Sequence, residues 1–426
     1  MKSKKSKKTA SKKERPKKKV DNSKELKHLD IDPTKDISSQ YIDYWQKKEP
    51  TAHIVDDISG SNLGVKRGFY SSLPTLDNIL AIKANTDVHL HPFGKMIEVF
   101  GPEQSGKTSY VLLIAAKVIS ISGIAVFIDW EHKYDPAWFY RIAEMSFGLS
   151  ADFVKSKLLY IDPPHIEWFN IWLIKFIKTI IRSGMNADKE LKKLEERKHK
   201  PDNYEELKKQ YNKVINMPIV IINDSIAAMY TEAEVKDDEE NDAHVALLAR
   251  ELANKLKLIR RFLKFTNTLI LYTNQERFVI GGGGFKRRGS MMRTTGGTAI
   301  KYYCEGRIKI IRIGSLNRTR NKIEDNYGSE HIFKIVKNQL GIPPFREVVL
   351  RFLNDRGFYS FHSLMEACVS TGIIKKVGAV YQIKSGKFEL KIEENNLDER
   401  EIEIQQKYPK LISILEDAYY KKMEKK

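Results

Sequence analysis

Cysteine is scarce in this chain. Of 426 residues only Cys304 and Cys368 are cysteine, far apart, with no CxxC pair and no histidine cluster beside them. That excludes structural zinc of the usual spacing and points to a reducing compartment, so a cytoplasmic location is expected, in the host cytoplasm if the chain is phage-encoded. Long apolar runs are missing as well: no stretch approaches the roughly eighteen residues of a membrane-crossing helix, so no membrane partner is expected. No internal repeat is apparent. Negative charge is short too, with 55 Asp and Glu against 74 Lys and Arg, a net of +19.

Much of that excess is at one end. Residues 1–20 hold ten Lys and one Arg against one Glu, a net of +10, which leaves +9 for the rest. Such a tail cannot bury enough apolar surface to fold and is expected to be disordered. It serves solubility or binds phosphate backbones of DNA or RNA non-specifically, and both readings stay open. It is Lys-rich without an amphipathic pattern, unlike a transit peptide. Residues 21–60 look partly helical and polar, anchored by Tyr41, Tyr44 and Trp45.

Residues 61–355 carry an α/β rhythm. Short β-rich runs recur at Met96–Phe100, Ile124–Ile128, Ile219–Ile222, Thr268–Tyr272, Arg307–Ile313 and Ile332–Val336, several of them separated by helical stretches. The pattern predicts a mainly parallel central sheet covered on both faces. One stretch, residues 186–212, is dense in Lys and Glu with Pro201 in the middle; it is expected to be a solvent-exposed helical insertion. A second compositional unit occupies 356–426, a small C-terminal α+β domain ending in KKMEKK.

The most specific motif follows the first apolar run. Gly101-Pro102-Glu103-Gln104-Ser105-Gly106-Lys107-Thr108 is a complete phosphate-binding loop, continued by Ser109 into an apolar helix over Tyr110–Ile119. Glycines let consecutive N–H groups turn inward around the phosphates, Lys107 adds a point charge, Thr108 offers a hydroxyl to Mg²⁺, and the helix N-terminus faces the nucleotide. The chain is therefore expected to bind a nucleoside triphosphate.

Three further strand ends gather around that loop in the sequence. Ile219–Ile222 runs into Asn223-Asp224-Ser225, where Asp224 would orient Mg²⁺ through water and Ser225 could help hold its shell. Ile128-Asp129-Trp130-Glu131-His132 offers Glu131 as a base that polarises water; the bland alternative is a surface glutamate after a strand, and His132 is taken as structural. Thr273-Asn274-Gln275 places an amide where it can report a γ-phosphate. The glycine-rich run 276–297 follows, with Arg277, Lys286, Arg287, Arg288, Arg293, Gly296 and Gly297. It is either a floppy linker or a mobile binder of phosphate backbones.

Taken together, GPEQSGKTS, FIDWEHKYDPAW, VIINDSIAAM, LILYTNQER, TTGGTAIKYY and FKIVKNQLGIPPF resemble the bacterial RecA recombinases over about residues 65–355. TGIIKKVGAVYQIKSGKFEL is similar to that family's small C-terminal domain. The resemblance implies a P-loop ATPase core and assigns roles. Glu131 would be the water-activating base and Gln275 the γ-phosphate sensor, coupled to a DNA-binding loop over 276–295. Asp135 and Trp138 would contact and stack on adenine, a Trp standing where the family has Tyr. Residues 233–244 would form a first DNA-binding loop, and Lys337 would reach a neighbouring protomer's nucleotide. Gln339 departs from the pattern, since the family has a second lysine there.

The implied function is an ATP- and Mg²⁺-dependent recombinase that forms a homo-oligomeric helical filament on single-stranded DNA and pairs it with homologous duplex DNA. Two alternatives remain on sequence grounds. One is a RecA-fold DNA helicase or loader, although no arginine finger or primase-binding module is evident. The other is a slow-hydrolysing filament scaffold on single-stranded DNA.

Overall fold

The computed structural model describes residues 68–424 apart from 81, 85–86, 90, 198, 237–241, 279–291, 321–322, 341–342 and 386–387. The basic tail, the segment 21–60, Lys286, Arg287 and Arg288 lie outside the described residues, as does the middle of the 233–244 stretch.

A ten-stranded sheet organises the chain. In chain order its strands are β1 (Lys95–Gly101), β2 (Ile124–Asp129), β3 (Leu158–Ile161), β4 (Ile219–Asp224), β5 (Thr268–Phe278), β6 (Met292–Thr294), β7 (Gly306–Arg320), β8 (Ile323–Asn338), β9 (Glu347–Leu353) and β10 (Gly357–Phe358). Their order across the sheet is β10-β9-β8-β7-β1-β5-β4-β2-β3, with β6 laid on β5. From β7 to β3 every neighbour is parallel; β8, β9 and β10 form an antiparallel extension. The sheet is mainly parallel, as the α/β rhythm implied.

Burial explains the apolar runs. β4 is buried along its whole length, and β1 and β2 everywhere except their first residue. Strands covered on both faces read as near-continuous Val and Ile runs. Alternate residues serve opposite cores. Ile97, Val99, Phe127, Val220, Ile222 and Leu271 pack with the helix Lys107–Ser120, while Met96, Val126, Ile128, Ile221 and Ile270 pack with Ile166–Glu195 and Asp242–Leu263. The helix Lys107–Ser120 buries ten of its fourteen residues, which is why it reads as apolar nearly all round.

Three boundaries differ from the sequence expectation. β5 does not stop at Tyr272 but continues to Phe278, because β6 returns to pair with it antiparallel, setting Arg293 opposite Arg277 and Thr294 opposite Glu276. β7 and β8 extend far beyond Ile313 and Ile332 as a long hairpin, whose outer half packs Leu316 and Tyr327 against the C-terminal apolar cluster. The charged insertion begins inside a 30-residue helix, Ile166–Glu195, and ends within Tyr204–Ile215; the two pack on each other and bury Ala187, Leu191, Leu194 and Tyr204.

The C-terminal region has its own apolar cluster, built from the helix Ser360–Ser370, the antiparallel strands Lys375–Val377, Val380–Ser385 and Phe388–Glu393, and the helices Leu397–Lys407 and Leu411–Glu424. Its last helix reaches the helix Pro74–Leu80: Tyr419 donates to the Pro74 carbonyl at 3.0 Å and Tyr420 to Asp77 at 3.2 Å. No helix among the described residues is long and apolar enough to cross a membrane.

Candidate functional site: a phosphate loop and its acidic rim

The loop Gly101–Thr108 joins β1 to the helix that follows. Gly101 passes so close to β7 that a Cβ there would fall 2.1 Å from the Ile310 carbonyl oxygen, so no other residue fits. Gly106 heads the helix at φ +86, a left-handed conformation that glycine adopts without strain, and a Cβ would press on Phe358 at 3.0 Å. Lys107 folds back over the loop and donates to the Pro102 carbonyl at 2.6 Å and the Gly101 carbonyl at 3.3 Å. Burial lowers its pKa, while Asp224, Glu131 and Glu103 favour the charged form. The loop is held from below by His331. Its Nδ1 lies 2.9 Å from the Ser105 carbonyl oxygen and so carries the proton, while Nε2 lies 2.8 Å from the Ser329 hydroxyl. Burial pushes this imidazole down to about 4, so it is neutral at pH 7.

The parallel strands bring the acidic groups to the loop. Thr108 donates its hydroxyl to Asp224 Oδ2 at 2.7 Å, and Thr273 on β5 donates to Oδ1. Burial raises the Asp224 pKa, partly offset by these two hydroxyls. A carboxylate oxygen beside a threonine hydroxyl at a helix N-terminus is the oxygen-rich donor set that a hard divalent cation takes. The Asp224–Ser225 peptide is cis.

Glu131 lies between two elements. Its Oε1 accepts the Ser225 hydroxyl and the Gln275 amide, the latter at 3.3 Å, and its Oε2 faces Lys133 Nζ at 3.1 Å. Burial alone would raise the Glu131 pKa, but the Ser225 and Lys133 contacts outweigh it and keep the carboxyl below its ordinary range. Gln275 is opposite Gly101 in the register of β1 and β5, which places the amide beside the loop.

The other expected residues divide. Asp135 caps the helix Pro136–Phe147, its Oδ1 accepting the Ala137 and Trp138 amides at 2.9 and 3.2 Å, with Pro136 at the first helical position. Trp138 is half-buried and donates its indole N–H to Ser109 at 3.0 Å, just past the phosphate loop. Lys337 is not brought to Lys107 within the chain. It lies on β8 opposite Arg307, and its amine donates to the Lys301 and Tyr302 carbonyls at 2.8 and 2.9 Å, at the end of the helix Gly297–Tyr303. Gly296 and Gly297, at φ +84 and +69, open that helix, and a Cβ on Gly296 would strike Ile226 at 2.8 Å.

Sequence reasoning missed the polar spine that joins these parts. Asn274 donates from one amide nitrogen to Glu98 on β1 and to the Thr295 carbonyl, each at 2.9 Å. Glu98 is fully buried and paired with Arg307, whose guanidinium also covers the Phe100 ring at 4.5 Å. The available signal was a lone glutamate inside Met-Ile-Glu-Val-Phe. A charge there is not tolerated in a doubly covered strand unless it is paired. Elsewhere, His362, Glu366 and Glu394 gather potential metal-ligand atoms. Lys376 already contacts both glutamates, at 2.7 and 2.9 Å, and Arg351 contacts Glu394 at 2.8 Å, so the negative charge is neutralised within the protein.

Comparison with known proteins decides the family. The model of the RecA N-terminal domain matches residues 72–146 and 198–359, more than half of the chain. The chain belongs to the RecA family. It is 30% identical to Protein RecA of Acinetobacter baylyi over 296 residues, covering 70% of this chain and 69% of that protein. It is 31% identical to Protein RecA of Treponema pallidum over 297 residues, covering 70% of this chain and 60% of that one. A RecA-family ATPase domain implies use of ATP and Mg²⁺, and the loop, Thr108 and Asp224 fit both. The RecA match omits residues 147–197, which include the whole of the helix Ile166–Glu195.

Proposed function

We propose that this chain is a DNA-dependent ATPase that polymerises on single-stranded DNA and promotes homologous pairing and strand exchange. One observation carries the reading: Gln275 bonds to Glu131 while its neighbour Asn274 bonds to Thr295, so one strand joins the base to both ends of the glycine-rich loop. Both relatives carry the name RecA, that of the recombinases whose motifs this sequence resembles.

The residues divide the work as follows. Backbone N–H groups of Gly101–Thr108 and the Lys107 amine bind the phosphates and align the terminal one for attack. Thr108, and Asp224 through water, would hold Mg²⁺, and the ion would supply positive charge to offset that of the bound phosphates. Glu131 takes the proton from water as its oxygen bonds to the γ-phosphorus and the bond to the β-γ bridging oxygen breaks, releasing ADP and phosphate. Gln275 exchanges its contact with Glu131 for the γ-phosphate when a triphosphate is bound, and β5 passes the change to residues 276–297. Arg277, Arg293, Lys286, Arg287 and Arg288 then track the DNA backbone, with sequence read by base pairing. Lys337 reaches the next protomer's nucleotide in the filament, leaving the Lys301 and Tyr302 carbonyls, and residues 233–244, helical at their described ends and not a loop throughout, supply the first DNA-facing segment. Asp135 and Trp138 border the adenine.

Electron microscopy with ATP and single-stranded DNA tests assembly. Open helical filaments are expected; closed six-membered rings would favour a helicase and overturn the recombinase reading.

A further inference from the structure

The glutamate at the centre of the site is held by a lysine to which no role has yet been given. Lys133 Nζ takes Glu131 Oε2, while Oε1 is used by Ser225 and Gln275. The Lys133 side chain is 74% exposed and that of Glu131 17%, so the cation is the partner free to move. Its backbone is fixed. His132 turns the chain at φ +54, left-handed for a residue with a Cβ, and Asp129 accepts the Lys133 and Tyr134 amides at 3.3 and 2.9 Å. This turn returns Lys133 to the ends of β2 and β4. Its amine is placed at the cleft by Glu131, whose other oxygen meets Ser225 just past β4 and Gln275 on β5. An exposed ion pair contributes little to stability, so the pair matters chiefly for the charge it sets in the cleft.

We propose that Lys133 is a second phosphate-facing cation, supplied by the same protomer as Lys107, that leaves Glu131 for a terminal-phosphate oxygen when a triphosphate fills the loop. The inference rests on the ATPase reading above. The exchange favours itself electrostatically, because a terminal phosphate carries more negative charge than a carboxylate and bonds strongly to an ammonium. It also frees Glu131 Oε2 to accept a proton from water. A diphosphate offers no terminal oxygen at that place, so with ADP the lysine stays on Glu131. Lys107 is buried against its own loop carbonyls and serves either nucleotide, whereas Lys133 gains a partner only when a terminal phosphate is present. Lys133 therefore separates ATP from ADP.

The test compares affinities of the full-length protein for a non-hydrolysable ATP analogue and for ADP, each with Mg²⁺. Lys133→Ala is expected to weaken the analogue about tenfold, the weight of one charge-assisted hydrogen bond, and to leave ADP unchanged. Lys133→Arg should restore most of the difference. An unchanged melting temperature in Lys133→Ala would show that the fold is intact. Equal weakening of both nucleotides, or of neither, overturns the proposal. Unchanged analogue affinity with faster turnover would make Lys133 a brake on Glu131, and also overturns it. A wild-type protein that binds neither nucleotide would instead refute the ATPase reading beneath it.

Discussion

The parallel and antiparallel parts of the main sheet share one hydrogen-bonded surface but contribute differently to the site. β1, β2, β4 and β5 end at the cleft and deliver Lys107, Glu131, Asp224 and Gln275. β8 and β10 deliver none of these. They set His331, Phe333 and Phe358 under the loop and its helix, with Phe358 stacked edge-on against Phe333 and His331. The candidate site is thus built by strand ends in one part, and the loop is supported from beneath by the other. Within an isolated protomer, substitutions in the first part should act on turnover, and those in the second on affinity or stability.

Glu131→Gln should have the largest effect. Turnover is expected to fall about a thousandfold, within the range for a lost general base, with nucleotide binding and DNA binding retained. Loss of nucleotide affinity in an equilibrium titration would show that Glu131 is part of the cradle and would break the division. Asp77, on the helix that packs against the extension, comes next. Burial raises its carboxyl to about 7, offset in part by Ser71 and Tyr420. An acid with a raised folded pKa binds more protons folded than unfolded between pH 4 and 7, so stability falls as pH rises through that window. The full loss is about 4 kcal/mol above pH 7. Asp77→Asn should flatten the dependence of melting temperature on pH, and an unaltered slope would contradict the assignment.

How much of this was legible in the chain follows the same division. The buried parallel strands announced themselves as Ile-Val-Ile-Ile or Met-Ile-Glu-Val-Phe, and the phosphate loop has a fixed spacing. Asp224, Glu131 and Gln275 drew attention as candidates because each follows such a run, and the fold brings all three beside the loop. The β7–β8 hairpin was half missed, since Arg312 to Arg320 carries no alternating apolar face to mark a strand. His331 and Asn274 could not be read at all. Their partners, Ser105 and Glu98, lie more than 170 residues away in sequence. Asp135 shows a different limit. The same Asp-Pro pair that suggested an adenine contact is also a helix cap, and the carboxylate is engaged as a cap.

His331→Leu removes the support of the Ser105 carbonyl and should raise the KM for ATP about tenfold, the cost of one buried hydrogen bond lost, with kcat little changed. His331→Asn keeps an N–H for that carbonyl and should recover most of it; a fall in kcat alone would place His331 in the chemistry. Lys337→Ala should cost the isolated protein only about 1 kcal/mol, the value of a cation at a helix C-terminus. The same change should lower ATPase in the DNA-bound filament while sparing nucleotide binding, and an equal loss without DNA would count against a role between protomers.

Coupling of ATP turnover at Glu131 through Gln275 to a DNA-binding loop is tested by the steady-state ATPase rate of the purified chain with and without single-stranded DNA. The rate is expected to rise on adding DNA, and the rise to disappear in Gln275→Ala. A rate indifferent to DNA in the wild-type protein would contradict the account.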